Sequence, residues 1–153
     1  MPYKAYTEKY DTVVKQLITT CLVGEPVAKI EPDMEYKTFR ALWDTGANCS
    51  AISTRVVMLL GLVPVSKESM THAGGQSIVD IYSVGIVLPN NVLVPLVDVF
   101  ESDFSSFDVL IGMDIISQCD LSVSNLGGKT TFSIRVPPYK ETDYVAEYEE
   151  IKQ

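Results

Sequence analysis

The chain has 153 residues, one domain's worth, and its 46% apolar and 21% charged residues are the composition of a globular protein rather than a disordered or fibrous one. A formal charge of −8 argues against a protein that tracks a nucleic-acid backbone, which needs a cationic face. The most apolar run, Val56 to Val65, has ten residues and contains Gly61 and Pro64, whereas a membrane span needs about 20. No apolar signal segment shows in MPYKAYTEKYDTVV. Three cysteines, Cys21, Cys49 and Cys119, without paired spacing suit a reducing compartment, and a cytoplasmic location is expected. One histidine and no CxxC leave no Cys/His zinc site in view.

Val and Ile together number 30 against 19 for Leu and Ala, a bias toward pleated sheet. Residues 1–11 read as a polar arm. Thr12 to Val23 reads as a first strand, stopped at Gly24-Glu25-Pro26, and extended chain follows to Ile30. Met34 to Trp43 alternates and then turns apolar at Ala41-Leu42-Trp43, as a strand entering a core does. Ser53 to Leu60 is a short helix, with Ser53 or Thr54 as its N-cap and Gly61 past its end. Met70 to Leu88 reads as a hairpin tipped by Gly74-Gly75. Val92 to Phe100 is a strand whose Pro95 demands an edge or a bulge. Asp108 to Ile111 is a short buried strand, Met113 to Gln118 a helical turn, and Leu121–Asn125 with Thr130–Val136 a last hairpin. The acidic residues from Tyr139 onward form a tail, extended or weakly helical. The expected class is mostly β with one or two short helices. The expected divisions are an arm (1–11), a domain (12–138) and a tail (139–153).

Chemistry concentrates at Ala41-Leu42-Trp43-Asp44-Thr45-Gly46-Ala47. An apolar strand delivers one carboxylate into a tight turn, where Gly46 permits a path that a Cβ would obstruct and Thr45 and Asn48 can bond locally. An acid held on an apolar floor is one whose ionisation can be tuned. Downstream, Leu110-Ile111-Gly112 followed by Met113-Asp114-Ile115-Ile116 repeats the pattern of apolar strand, glycine and short helix. The glycine-tipped hairpin with Ala73, Gly74 and Gly75 lies between them.

In this order, the elements resemble the retropepsin-like aspartic proteases, the single-domain relatives of pepsin, over roughly residues 12–136. Asp44-Thr45-Gly46-Ala47 is similar to the catalytic loop, Ala73-Gly74-Gly75 to the flap tip, and Leu110-Ile111-Gly112 to the element packed beside the loop. Trp43 departs from the smaller aliphatic residue usual before the catalytic Asp. The resemblance implies a closed acid-protease β-barrel, one lobe per chain. It also implies an aspartic endopeptidase, without metal or other cofactor, that acts on a peptide or protein. Its mechanism takes two aspartates facing one water. Of ten Asp residues only Asp44 is followed by Thr-Gly or Ser-Gly, so one chain supplies half a site and a homodimer is expected. A retropepsin-like dimerisation or peptide-binding module with little or no turnover is the alternative.

Other candidates receive plainer readings. Asp108 and Asp114 are taken as a strand-end and a helix-start acid, and their Asn variants, expected to reduce stability at most modestly, serve as matched controls. Cys49 has no histidine near it in sequence to act as base and reads as a small packing residue. His72, near the hairpin tip, is a surface residue that could touch substrate or sense pH. Thr12–Val23 and Thr130–Val136 are the expected interface segments, as apolar strands that would otherwise leave open sheet edges.

Overall fold

A computed structural model describes residues 2–153. The described residues run through ten strands and three short α-helices. The strands are β1 (Lys4–Lys9), β2 (Ile18–Gly24), β3 (Lys37–Trp43), β4 (Ala51–Ile52), β5 (Ser66–His72), β6 (Gly75–Leu88), β7 (Val92–Glu101), β8 (Val109–Ile111), β9 (Asp120–Ser124) and β10 (Thr131–Val136). The helices are α1 (Thr54–Leu60), α2 (Met113–Ile116) and α3 (Tyr144–Ile151).

Six strands close a barrel in the order β2-β3-β8-β4-β7-β6, sealed by β6 pairing back onto β2 at Leu22↔Val87 and Gly24↔Gly85. Closure leaves no free edge in the ring. β5 hangs outside it, paired only with β6. Alternation explains the filling. β2 and β3 turn Cys21, Val23, Phe39, Ala41 and Trp43 inward, and Ile52, Val84, Ile86, Val99, Val109 and Ile111 meet them from the other strands.

Pro95 is accommodated as its ring requires. The β6/β7 register jumps from Val84↔Val97 to Ile86↔Val94, so Pro95 and Leu96 bulge opposite Gly85. Gly24 and Gly85, neighbours across the barrel seam, leave the space that the Tyr36 ring occupies, and a Cβ on either would strike it. α1 starts and stops as its caps dictate. Ser53 Oγ accepts from Val56 N, and Gly61 closes the helix at φ 60°.

A second sheet, β1-β10-β9, packs against the barrel. Phe132 and Ile134 of β10 are buried, and Phe132 lies 5.0 Å from Trp43 between ring centroids. Trp43 therefore bridges the two sheets, and its Nε1 donates to the buried Thr19 Oγ1 at 3.0 Å. A smaller residue would not span that gap.

Several local expectations change. The first barrel strand begins at Ile18 rather than Thr12, because the polar Lys15-Gln16 pair lies outside the core. Residues 26–30 form no strand. The N-terminal arm contains β1, antiparallel to β10 from Lys4↔Val136 to Lys9↔Thr131. The tail takes the helical of its two expected forms as α3, capped by Asp143 accepting from Val145 and Ala146 N–H groups, and every residue of α3 is exposed. The two segments expected to offer open edges do not. β2 is flanked by β3 and β6, and β10 by β1 and β9. The open edges are those of β1, β5 and β9.

Candidate active site

Asp44 is the first residue past β3. Its N–H donates to Ile111 O at 2.9 Å, and its own carbonyl accepts from Ala47 N at 3.2 Å. The chain reverses within those four residues. Gly46 N donates to Asp44 Oδ1 at 2.8 Å, so the turn fixes the carboxylate it carries. Asp44 is half-buried, and Thr45 and Gly46 are exposed.

The Leu110-Ile111-Gly112 element is brought directly against this loop. β8 runs parallel to β3 with Leu42↔Leu110 and Trp43↔Ile111. Gly112 is the point of closest approach, where a Cβ would come within 2.8 Å of Cys49 C and O and 2.9 Å of Ala47 O. Those neighbours are backbone atoms, which cannot swing aside. Next, Met113 N donates to Ala47 O at 2.8 Å and Asp114 N to Asn48 O at 3.2 Å.

Asp114 does more than start a helix. Its Oδ2 accepts from Ser50 N at 2.9 Å, and its Oδ1 accepts from Ser50 Oγ at 2.7 Å and Ile115 N at 2.9 Å. Ser50 Oγ in turn accepts from Gly112 N at 3.0 Å. Ser50 is fully buried, so these bonds close an interior polar network. Sequence reading took Asp114 only as a helix-start acid and passed over Ser50. The partners are 64 positions apart, and no local pattern marks such a pair. Asp108 is held more loosely, taking Ser53 Oγ at 2.9 Å and the exposed Arg55 guanidinium at 2.9 Å.

Ala73, Gly74 and Gly75 lie in the tip of the β5–β6 hairpin, where His72 pairs with Gly75 across a two-residue turn. They are exposed, and no hydrogen bond among the described residues joins them to the Asp44 loop. All three thiols are free. Cys49 is exposed. Burial, with the Asp108 charge adding to it, pushes the Cys21 thiol up to about 12, and burial followed by the Asp120 charge pushes Cys119 up to about 11. Among the described residues no group of three or more His, Cys, Asp or Glu side chains is arranged to hold a metal ion. No helix among them is long and apolar enough to cross a membrane.

Comparison with known proteins bears on this geometry. The family described as Aspartyl protease matches residues 28–115, more than half the chain and inclusive of Asp44, the hairpin and Gly112. Comparison with curated proteins finds no match. Among solved structures, a retropepsin-like aspartic protease from Rickettsia conorii aligns with a TM-score of 0.53 at 9% identity, covering 89% of this chain and 97% of the other. At that identity the likeness is one of fold. The EIAV protease complexed with the inhibitor HBY-793 aligns with a TM-score of 0.49 at 19% identity, over 67% of this chain and 86% of its own. The protease of Simian Foamy Virus (mac) aligns with a TM-score of 0.43 at 14% identity, over 65% and 92%.

Proposed function

The chain belongs to the aspartyl protease family and has the retropepsin-like fold, and from this premise we propose that it is a homodimeric aspartic endopeptidase in which Asp44 of each subunit supplies half of the site. The observation that carries the reading is a single Asp-Thr-Gly turn per chain, its carboxylate gripped by Gly46 N–H at the exposed end of a buried strand. In the dimer the two Asp44 side chains face one water across a two-fold axis. Two carboxylates so close share one proton and titrate as a pair. The ionised Asp44 takes a proton from the water, whose oxygen bonds to the scissile carbonyl carbon. The protonated Asp44 gives its proton to the carbonyl oxygen. Collapse of the tetrahedral intermediate, with a proton passed to the departing nitrogen, breaks the peptide bond.

The remaining assignments follow from this reading. Gly46 and Ala47 shape the loop, and the exposed Thr45 is available to bond across the axis. Leu110, Ile111 and Gly112 hold the loop against β8. Ala73, Gly74 and Gly75 form a flap that covers an extended peptide and binds its backbone as an added strand. Residues 12–138 make up the protease domain, with β1 extending its second sheet. The edge that meets the partner is β9. β1 carries Lys4, Glu8 and Lys9, and its Ala5 O is already taken by Asn90 Nδ2 at 2.7 Å. β5 carries Lys67 and Glu68. Leu121-Ser122-Val123-Ser124 in β9 has no charge and no proline to block pairing. Three free thiols suit a reducing compartment such as the cytoplasm.

The test is cleavage of a peptide library by the purified protein and its Asp44→Asn variant, with sedimentation of both. Loss of all cleavage in a variant that stays folded and dimeric is the expected result. Wild-type activity in the variant, or an active monomer at every concentration, overturns the proposal. A dimer without turnover in the wild-type protein assigns the chain to the binding-module alternative.

A further inference from the structure

The tip of the β5–β6 hairpin is shaped from within. Residues 71–78 are all exposed, and β5 pairs with no strand but β6. At this tip a single imidazole makes both side-chain bonds. Gly74 N donates to His72 Nδ1 at 3.1 Å, and His72 Nε2 lies 3.1 Å from Ser77 Oγ. The ring sits against bare glycine, since a Cβ on Gly74 would come within 3.2 Å of its Cε1 and 3.3 Å of its Nδ1. One side chain from the first strand thereby ties the turn at Gly74 and the second strand at Ser77.

The bond from Gly74 settles the tautomer. Nδ1 accepts, so the ring proton is on Nε2 and is donated to Ser77 Oγ. An imidazolium carries hydrogen on both nitrogens and accepts on neither. Protonation therefore removes the acceptor for Gly74 N–H and sets one N–H against another. We propose that His72 is a positioning residue of the flap. Neutral, it holds the tip in one shape, and protonated, it releases it. This rests on the protease reading of the hairpin.

The surrounding charges are few. Glu68 lies on the same face of β5, four residues back, and the β6 residues on that face are Gly75, Ser77 and Val79. The Lys67–Asp80 ion pair, at 2.6 Å, is on the opposite face. The order of the tip is present while the His72 ring is neutral and accepts at Nδ1, and is lost when acid protonates the ring. A substrate held by flap backbone groups binds more weakly on the acid side, so the effect falls on KM.

The experiment has two arms. In the first, nitrogen-15 NMR of the Asp44→Asn protein follows the His72 ring and the Gly74 amide against pH, independently of turnover. The expected result is an Nε2–H ring at high pH and a Gly74 amide that moves along the His72 titration curve. An Nδ1–H ring, or a Gly74 amide indifferent to that titration, overturns the proposal. In the second, His72→Ala in the active protein raises KM about fivefold above neutrality, the factor one net hydrogen bond supplies. The same variant abolishes the wild-type rise of KM on the acid side. A KM profile in His72→Ala that parallels the wild type overturns the positioning role. If the wild-type protein cleaves nothing, the protease reading fails, and the first arm still decides whether His72 sets the turn.

Discussion

Asp114→Asn separates an architecture bolted through a half-buried carboxylate on a buried serine from one in which that acid merely starts a helix. The carboxylate accepts three hydrogen bonds, Ser50 N on Oδ2, and Ser50 Oγ and Ile115 N on Oδ1. An amide keeps one oxygen, which can serve the Oδ1 pair. Its NH2 then faces Ser50 N–H, donor against donor, beside a residue with no exposure. A hydrogen bond to a charged group contributes about 1.5–3 kcal/mol, and a buried donor without a partner costs about 1–3 kcal/mol. The two figures describe overlapping effects, and the expected loss is about 2–3 kcal/mol. With a urea slope of about 1–3 kcal/mol/M, the midpoint falls by roughly 0.7–3 M.

Asp108→Asn is the matched control. Its amide oxygen still takes Ser53 Oγ, and what is lost is the ion pair to Arg55, whose side chain is 61% exposed. Exposed pairs of this kind contribute about 0–1 kcal/mol. Equilibrium urea unfolding of the two variants beside the wild type makes the comparison. An Asp114→Asn protein within about 0.5 kcal/mol of wild type, or an Asp108→Asn protein equally destabilised, refutes the reasoning.

Two further outcomes are expected. Backbone N–H groups of Tyr139 and Lys140, and then Arg135, hold the Asp120 carboxyl below the usual carboxylate range. A depressed folded pKa stabilises above the unfolded value of about 3.9 and is lost as pH falls through the still lower folded value. Acid below about pH 4 should therefore release residues 139–140 from Asp120, read as exchange broadening or shift of the Tyr139 amide. An amide unmoved across that range counts against the anchor. At the β9 edge, Ser122→Lys with Ser124→Lys adds charges at two exposed positions and should weaken the proposed dimer at least about tenfold by sedimentation, with the proposed cleavage falling in parallel. An unchanged dimer excludes β9 as the contact.

Much of this protein was legible in one dimension because its signals are local. Strand alternation at Lys37–Trp43, the Ser53 and Gly61 caps of α1, the glycine-tipped hairpin and the bulge demanded by Pro95 each depend on residues a few positions apart. The Asp-Thr-Gly turn belongs with them, since the Gly46 N–H that grips Asp44 is two residues away. Pairings over long separations were decided only by the tertiary structure. β1 reads as a polar arm because its partner is more than 120 residues distant, and β10 reads as an open edge until β1 and β9 cover both its sides. Trp43 looks oversized until Phe132 arrives from the second sheet. Asp108 and Asp114 look alike along the chain. Folding gives one an exposed arginine and the other the buried Ser50, and the low dielectric of the interior makes the second the costlier bond to lose.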